Sequence, residues 1–434
     1  MSTSARFDRG HTDDLMTFLA ASPTPYHAVA NAAERLEKAG FRQVQETAAW
    51  EGTTGGKYVL RGGALIAWYV PEGAEPHTPF RIVGAHTDSP NLRVKPLPDT
   101  GAYGWRQVAV EVYGGPLLNT WLDRDLGLAG RLSLRDGTHR LVNVDRPLLR
   151  VPQLAVHLDR GVNTDGLKLN PQRHMQPVWG LGEAEEGDLI RFVAEESGLD
   201  ASDVTGWDLM AHSVEPPAYL GRDRELMAGP RMDNLLSVHA GTAALAAVAG
   251  AAGSGTALPY IPVLAAFDHE ESGSQSDTGA DGPLLGTVME RSVLARGGSY
   301  EDRARALAGT ICLSSDTGHA VHPNYAERHD PTHHPRVNGG PILKVNVNMR
   351  YSTDGGGRAL FAAACERADV PWQSFVSNNS MPCGTTIGPI TAARHGIKTV
   401  DIGAAIVSMH SARELCGADD PFLLANALAA FLEG

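Results

Sequence analysis

The stretch that decides the fold reads Phe267-Asp268-His269-Glu270-Glu271-Ser272-Gly273, and it directly follows the apolar run 257–266. That run is short and contains or adjoins Gly and Pro, so it predicts a buried strand rather than a helix. Two adjacent carboxylates at the end of a buried strand are destabilising alone, because taking an unpaired charge out of water costs several kcal/mol. A metal ion would offset that cost. An acidic pair considered by itself is more commonly part of an exposed turn. Residues elsewhere in the chain must therefore decide between an exposed turn and a metal site.

Bulk composition limits the class of protein. The chain has 434 residues, which is too long for one hydrophobic core, so two domains are expected. Its net charge of −13 argues against nucleic acid or an anionic membrane as the main partner. Residues 1–8 lack an apolar signal core, and no run approaches the ~18 apolar residues of a membrane span, so we expect a cytoplasmic protein. Four scattered cysteines without a CxxC pair predict reduced thiols, and they are Cys312, Cys365, Cys383 and Cys416.

The order of the predicted elements indicates an α/β fold with an insertion. Strand and helix patterns alternate before residue 92 and again after residue 228, which predicts a mainly parallel central sheet flanked by helices. Between them, short β-like runs separated by turns rich in Gly, Asp and Asn predict an inserted β-rich domain. The runs 107–113, 130–134 and 188–193 are each predicted to be strands. The predicted division is 1–91 and 229–434 for the two parts of the α/β domain and 92–228 for the insert.

Side chains that can bind metal recur at equivalent positions of this pattern. His86, the pair Glu270–Glu271, Asp316 and His410 each follow a predicted strand, and Asp233 stands at the start of a long helix. Ligand sites in open α/β sheets form beyond the carboxyl ends of the strands. Each residue has an ordinary structural explanation, such as a helix N-cap for Asp233 or a satisfied polar group for His86. Six of them in equivalent places favour one shared site.

The residue types in this set suit a pair of metal ions. Zn²⁺ accepts histidine nitrogen and carboxylate oxygen at roughly 2.0–2.2 Å. With one bridging carboxylate, such a set holds two ions ~3.5–4 Å apart, as in two-metal aminopeptidases. A carboxylate that binds no metal is then free to act as a general base. Asp88 follows His86 closely, and a carboxylate near a metal-bound histidine commonly fixes the orientation of its ring.

Almost from end to end, the chain resembles the M18, or aspartyl aminopeptidase, family of metallo-aminopeptidases. No single motif would suffice, but together the matching segments are highly specific. They are residues 84–90, 154–158, 231–234, 268–271, 316–325, 382–389 and 409–411. Two departures concern the packing around the site and the specificity. Ser272 stands where the family has a branched apolar residue, and Ser380-Met381 stands where an acidic residue is common.

The resemblance implies a role for each candidate residue. Asp233 would bridge two divalent metal ions, with His86 and Asp316 completing one site and Glu271 and His410 the other. The ions are expected to be Zn²⁺, although Co²⁺ and Mn²⁺ suit the same ligands. Asp88 would orient His86, and Glu270 would be the general base. The implied substrate contacts are His157, His319, Lys344 and Tyr351.

The resemblance also implies an assembly. The family fold is a zinc-peptidase domain with an inserted β-rich dimerisation domain, in a homo-oligomer expected to be a dodecamer built from dimers. His157 would reach the active site of a neighbouring subunit. By general statistics alone, both His157 and a strand lysine such as Lys344 would instead be structural or solvated.

The expected function is removal of one N-terminal residue from peptides with a free N-terminus. Lys344 is the natural partner for an acidic first residue, Asp or Glu. Three alternatives stay open: an aminopeptidase of the same family for neutral aliphatic residues, a deacylase of N-acylated substrates, and a catalytically silent oligomeric metal-binding protein. The spare carboxylate of Glu270 argues against the silent protein, because metal binding alone does not need it.

Overall fold

The computed structural model describes residues 9–50 and 54–434. The expectation that residues 1–8 hold no signal core concerns a segment outside these ranges. The helices are α1 (Arg9–Ala21), α2 (Pro25–Lys38), α3 (Pro171–His174), α4 (Asp188–Glu196), α5 (Met232–Gly253), α6 (Leu284–Ala295), α7 (Tyr300–Gly309), α8 (Gly355–Arg367), α9 (Ile387–His395) and α10 (Asp420–Glu433).

The strands form three sheets. They are β1 (Arg42–Gln43), β2 (Gly55–Arg61), β3 (Ala64–Val70), β4 (Phe80–His86), β5 (Asn91–Ala102), β6 (Trp105–Tyr113), β7 (Leu126–Leu134), β8 (His139–Leu149), β9 (Val178–Leu181), β10 (Val204–Ser213), β11 (Ala218–Leu220), β12 (Leu226–Gly229), β13 (Ile261–Phe267), β14 (Ile311–Ser315), β15 (Gly318–His319), β16 (Ile342–Val345), β17 (Gln373–Val376), β18 (Lys398–Gly403), β19 (Ala405–Val407) and β20 (Glu414–Gly417).

The largest sheet has nine strands in the order β1-β2-β3-β13-β4-β14-β18-β16-β17. Its centre, β13-β4-β14-β18, is parallel throughout. Successive residues of β4 point to opposite faces, so that Ile82 packs with α6 and α9 while Val83 packs with α5 and α10. Helices therefore cover both faces, as parallel strands require. The predicted α/β fold with a mainly parallel central sheet flanked by helices is confirmed.

A second sheet of six antiparallel strands, β8-β7-β10-β5-β6-β9, is built entirely from residues 91–213. A third, five-stranded sheet pairs β12 with β20 and so joins residues 218–229 to the C-terminal part of the chain. The prediction that 188–193 is a strand was wrong, because these residues lie in α4. The carboxylate of Asp99 accepts the N–H groups of Gly187 and Leu189 and so caps this helix from 90 residues away in sequence.

One described helix, α5, is long and apolar enough to cross a membrane by length and composition. It holds no uninterrupted apolar run of ~18 residues, because Asn234, Ser237, His239 and Thr242 lie within it. The helix packs against the central sheet and α10, and 67% of its most apolar 18-residue window is buried. Its composition follows from that position, since a helix surrounded by core is apolar on every side.

Candidate metal centre

Three neighbouring parallel strands deliver the first ligands to one edge of the central sheet. His86 is the last residue of β4 and pairs in register with Phe267 at the end of β13. On the other side of β4, Asp316 directly follows β14. The carboxyl ends of parallel strands share an edge, so these side chains converge as the order of the elements predicted.

Asp233 lies at the start of α5 with its carboxylate between two histidines. Its Oδ1 is 3.4 Å from His86 Nε2, and its Oδ2 is 3.4 Å from His410 Nε2. His86 Nε2 is also 3.6 Å from Asp316 Oδ1, and His410 Nε2 is 3.3 Å from Glu271 Oε1. Two ligand sets therefore share one carboxylate, His86/Asp233/Asp316 and Asp233/Glu271/His410.

These distances fit metal ligands better than hydrogen bonds. Tetrahedral ligands of Zn²⁺ at roughly 2.0–2.2 Å are separated from one another by about 3.3–3.6 Å. Oδ1 of Asp233 and Oε1 of Glu271 are buried, and neither has a hydrogen-bond partner among the described residues. Buried polar atoms rarely stay unpaired, so the chemistry and the placement of the donors fit divalent cations.

The charge pattern points the same way. Burial alone would lower the pKa of His410, but contact with Asp233 and Glu271 raises it to about 11. Burial alone would raise the pKa of Asp233, but His410 and His86 lower it. The carboxylates thus stabilise positive charge at the points where the two histidine rings meet them. A divalent cation would take the place of those protons.

Backbone carbonyls orient both histidines. Nδ1 of His86 is 3.0 Å from the carbonyl oxygen of Asp88, and Nδ1 of His410 is 2.9 Å from that of Gly115. When Nδ1 carries the proton, Nε2 is left with its lone pair facing the carboxylates. Gly115 belongs to the segment after β6, and the sequence offered no signal for this contact.

Asp88 is buried and contacts His86, but its carboxylate mainly binds other groups. Its oxygens accept the backbone N–H groups of Glu270 and Glu271, both at 3.0 Å, and the hydroxyl of Tyr113 at 2.6 Å. His86 Nδ1 is farther away, 3.4 Å from Oδ1. Asp88 therefore holds the turn of the Glu-Glu pair in place as well as the histidine. Tyr113 comes from the six-stranded sheet and was missed by sequence reasoning.

Glu270 is the carboxylate left over from the two ligand sets. Burial raises its pKa to about 8, close to the pH at which a general base is most effective. A bound cation would lower it again by stabilising the carboxylate. Glu270 also lies near His86 and Glu271 in a third group of possible ligands. Its assignment as base rather than ligand is a prediction.

Unusual backbone conformations place these side chains. His269 (φ 64°) and His410 (φ 66°) are left-handed, which costs a residue other than glycine of order 1–3 kcal/mol and is common at functional sites. At Gly403, a Cβ atom would lie 1.6 Å from the carbonyl oxygen of Asp316, so only glycine lets the strand approach this ligand.

A cavity of about 280 Å³ opens onto the centre, and three of the four predicted substrate contacts line it. They are His319, Lys344 and Tyr351. Lys344 is 2% exposed, contrary to the general expectation for a strand lysine. Its Nζ donates to the carbonyl oxygen of Thr317 at 2.7 Å and lies 4.0 Å from Asp316 Oδ2. His157 does not line the cavity and is exposed in the turn after β8.

The two departures from the family pattern lie on the surface. Ser272 is exposed, and its hydroxyl is 3.5 Å from that of Tyr113. Ser380 is exposed, and its backbone N–H donates to Asn378. The Ser272 hydroxyl also donates to the carbonyl oxygen of His269 at 3.3 Å. The four cysteines are free, as predicted.

Comparisons with known proteins point to one family. A family model described as aminopeptidase I zinc metalloprotease (M18) matches residues 18–432. The "Probable M18 family aminopeptidase 2" of Streptomyces coelicolor is 83% identical over the full length of both chains. The protein of the same name from Mycobacterium tuberculosis is 50% identical, over 96% of this chain and 97% of its own.

Solved structures give the same result. The chain resembles one in a cryo-EM structure of the Ape4 and Nbr1 complex with a TM-score of 0.94 and 34% identity, covering 100% of this chain and 88% of that one. It resembles the mApe1 dodecamer of S. cerevisiae with a TM-score of 0.86 and 28% identity, covering 98% and 96%.

Proposed function

The chain belongs to the M18 family of metallo-aminopeptidases, and from that premise we propose that it releases N-terminal Asp or Glu from peptides with two metal ions. The observation that carries the proposal is Asp233, whose two oxygens face two separate histidine-carboxylate sets. A carboxylate shared in this way is typical of two-metal aminopeptidase sites.

His86, Asp233 and Asp316 would hold one ion, and Asp233, Glu271 and His410 the other. Zn²⁺ suits this mixture of nitrogen and oxygen donors, and Co²⁺ or Mn²⁺ would also fit. When bound, such ions supply positive charge that polarises the scissile carbonyl and makes water more acidic.

Glu270 is proposed to take the proton from the attacking water and pass it to the leaving amine. The side chain lines the cavity and lies outside the two ligand sets. Asp88 holds the backbone N–H of Glu270 and so fixes the base relative to His86. Tyr113 anchors Asp88 in turn.

Charge balance at the cavity supports a preference for an acidic first residue. Four carboxylates line it, and two divalent ions would neutralise them. Lys344 then remains as the one permanent positive side chain in that lining. Its ammonium has three donors, and the bond to Thr317 uses one. The other two donors make no hydrogen bond to the described residues and could bind a substrate carboxylate once a cation compensates Asp316, whose Oδ2 lies 4.0 Å from Nζ.

Peptides that differ only in a first residue of Asp, Glu or Leu test this proposal. We expect wild-type kcat/KM to favour Asp and Glu, and Lys344→Met to reduce the Asp-to-Leu ratio by about 10- to 100-fold, the value of a hydrogen bond to a charged group. The Asp-to-Leu ratio is the informative quantity, because any effect of Lys344 on neighbouring Asp316 would change kcat/KM for both peptides alike. Lys398→Met, which removes a half-exposed lysine paired with Asp354, is the matched control.

An unchanged ratio in Lys344→Met would remove this residue from substrate recognition. A wild-type preference for Leu would instead favour the aliphatic alternative. A peptide with an acetylated N-terminus should not be cleaved. Its turnover would favour the deacylase, and metal binding without turnover of any peptide would favour the silent protein.

His157 is proposed to act in a neighbouring subunit of a homo-oligomer, expected to be a dodecamer like that of S. cerevisiae mApe1. The six-stranded sheet is the proposed dimerisation insert. His157 is exposed and outside its own cavity, which such a role requires. There it would donate to the oxyanion that forms at the scissile carbonyl. In a comparable site, one such donor is worth ~3–4 kcal/mol.

Subunit complementation tests this role. His157→Ala and Glu270→Gln should each be nearly inactive alone, because each lacks one part of every site. Co-expressed, they should recover measurable activity, since a site with Glu270 from one subunit and His157 from another is complete. If the co-expressed variants form mixed oligomers that are as inactive as each variant alone, His157 does not act in the site of a neighbouring subunit.

A further inference from the structure

Glu414, the first residue of β20, is a buried acid that sequence reasoning assigned no role. It is 2% exposed. Its Oε2 accepts the backbone N–H of Asp233 at 2.9 Å, and its Oε1 accepts the backbone N–H of His410 at 2.8 Å. Both oxygens of this carboxylate are thus occupied by the main chain of two predicted metal ligands.

The ladder between β12 and β20 ends at the pair Gly229–Glu414, so the backbones of Asp233 and His410 lie beyond its last pair. Asp233 stands in the non-helical first turn of α5 (φ −79°, ψ 104°), and His410 is a left-handed residue in the loop between β19 and β20. Neither N–H is therefore held in a regular helix or strand ladder. One carboxylate that binds both N–H groups fixes the distance between the two segments.

Glu414 lies outside the cavity that the metal ligands line. It does not line the cavity that contains Glu270 and Lys344, so it is not placed to contact substrate. Its pairing partner in β12 is Gly229, four residues before Asp233. Burial raises the pKa of Glu414 to about 8, and the two N–H donors oppose that rise. Asp88 has the matching arrangement on the other side, where it holds the N–H groups of Glu270 and Glu271.

We propose that Glu414 is a positioning residue for the metal site formed by Asp233, Glu271 and His410. It sets the separation of Asp233 and His410 through their backbone and contacts neither metal nor substrate. The inference rests on the proposed two-metal function. It predicts that loss of this carboxylate weakens the site with His410 most, because that site depends on both supported residues and the other depends on Asp233 alone.

Glu414→Gln tests the inference with little change of shape. An amide has a single oxygen, so one N–H loses its acceptor and faces an NH₂ group instead. Supporting groups of this kind typically contribute 10- to 100-fold to metal affinity. We expect the Kd of one of the two Zn²⁺ ions to rise by about that factor and the Kd of the other to change less, measured by competition with a fluorescent chelator and without any turnover. At saturating Zn²⁺, the variant should show a lower kcat with little change in KM.

Asp420→Asn is the matched control. Asp420 is also a buried carboxylate, 1% exposed, whose oxygens accept two backbone N–H groups, those of Asn338 and Gly340. It lies at the start of α10 and contacts no predicted ligand. Asp420→Asn should lower the melting temperature while both Zn²⁺ affinities stay at the wild-type values. If Glu414→Gln fails to fold, Glu414→Asp, which keeps both oxygens but withdraws them by one methylene, should weaken the same site.

Wild-type Zn²⁺ affinity in the folded Glu414 variant would overturn the inference, as would an equal loss in Asp420→Asn. These results leave the proposed function intact if the wild type binds two ions. A wild type that binds one ion would overturn the two-metal proposal and this inference together.

Discussion

Glu270→Gln should lower kcat by about 10²- to 10⁴-fold while both metal ions remain bound. The variant keeps the shape of the side chain and removes only its ability to accept a proton. The ligand sets around Asp233 do not include Glu270, so metal content should match the wild type. Peptide turnover and metal analysis on the same sample provide the measurement.

Glu271→Gln is the matched control for this experiment, because it changes the neighbouring carboxylate in the same way. Glu271 lies 3.3 Å from His410 and is predicted to bind metal, so this variant should lose one ion. Loss of an ion from Glu270→Gln would show that Glu270 is a ligand in the group with His86 and Glu271. Retention of full turnover would exclude it as the base.

Asp233→Asn should weaken both metal sites at once, because its two oxygens are shared between them. The positive charge that the ions supply is worth several kcal/mol, and each ~1.4 kcal/mol corresponds to a factor of ten, so kcat should fall on the order of 10³-fold or more. Asp316→Asn changes a carboxylate that contacts only His86 among the histidine ligands, and it should weaken one site. Chelator competition compares the two variants, and weakening of only one site in Asp233→Asn, as in Asp316→Asn, would argue against bridging by Asp233.

Much of the site could be predicted from the sequence because most of its candidate ligands lie at or just after the ends of strands. His86, Glu271 and Asp316 lie at or after the ends of strands that short apolar runs identify in the sequence. Because these strands are parallel neighbours, their ends lie at one edge of the sheet. Family resemblance then supplied the roles that topology alone left open. The two histidine-carboxylate sets in the structure consist of the five predicted ligands.

The supporting contacts could not be predicted, because each joins segments far apart in the chain. Tyr113 reaches Asp88 from the six-stranded sheet, Gly115 binds His410 through a carbonyl that any residue has, and Glu414 binds two N–H groups. No local pattern marks such residues. The helix α4 was missed for a similar reason, since its cap is a distant side chain, Asp99.

General statistics failed at Lys344, where specific partners stabilise a buried charge. A lysine in a strand is usually solvated, yet Lys344 is buried beside Asp316, with Tyr351 5.4 Å from its ammonium. A buried charge of this kind is stable only with partners, here a carbonyl, a carboxylate and an aromatic ring. The resemblance, not the strand pattern, identified this residue as a candidate for substrate binding.

The central claim is that one chain holds two cations around Asp233. Metal analysis of the purified wild-type protein, combined with stepwise return of Zn²⁺ to protein stripped of divalent ions, tests it most directly. The geometry predicts two ions per chain, with full peptide turnover only after the second equivalent binds. Saturation at one ion per chain, or full turnover by the stripped protein, would contradict it.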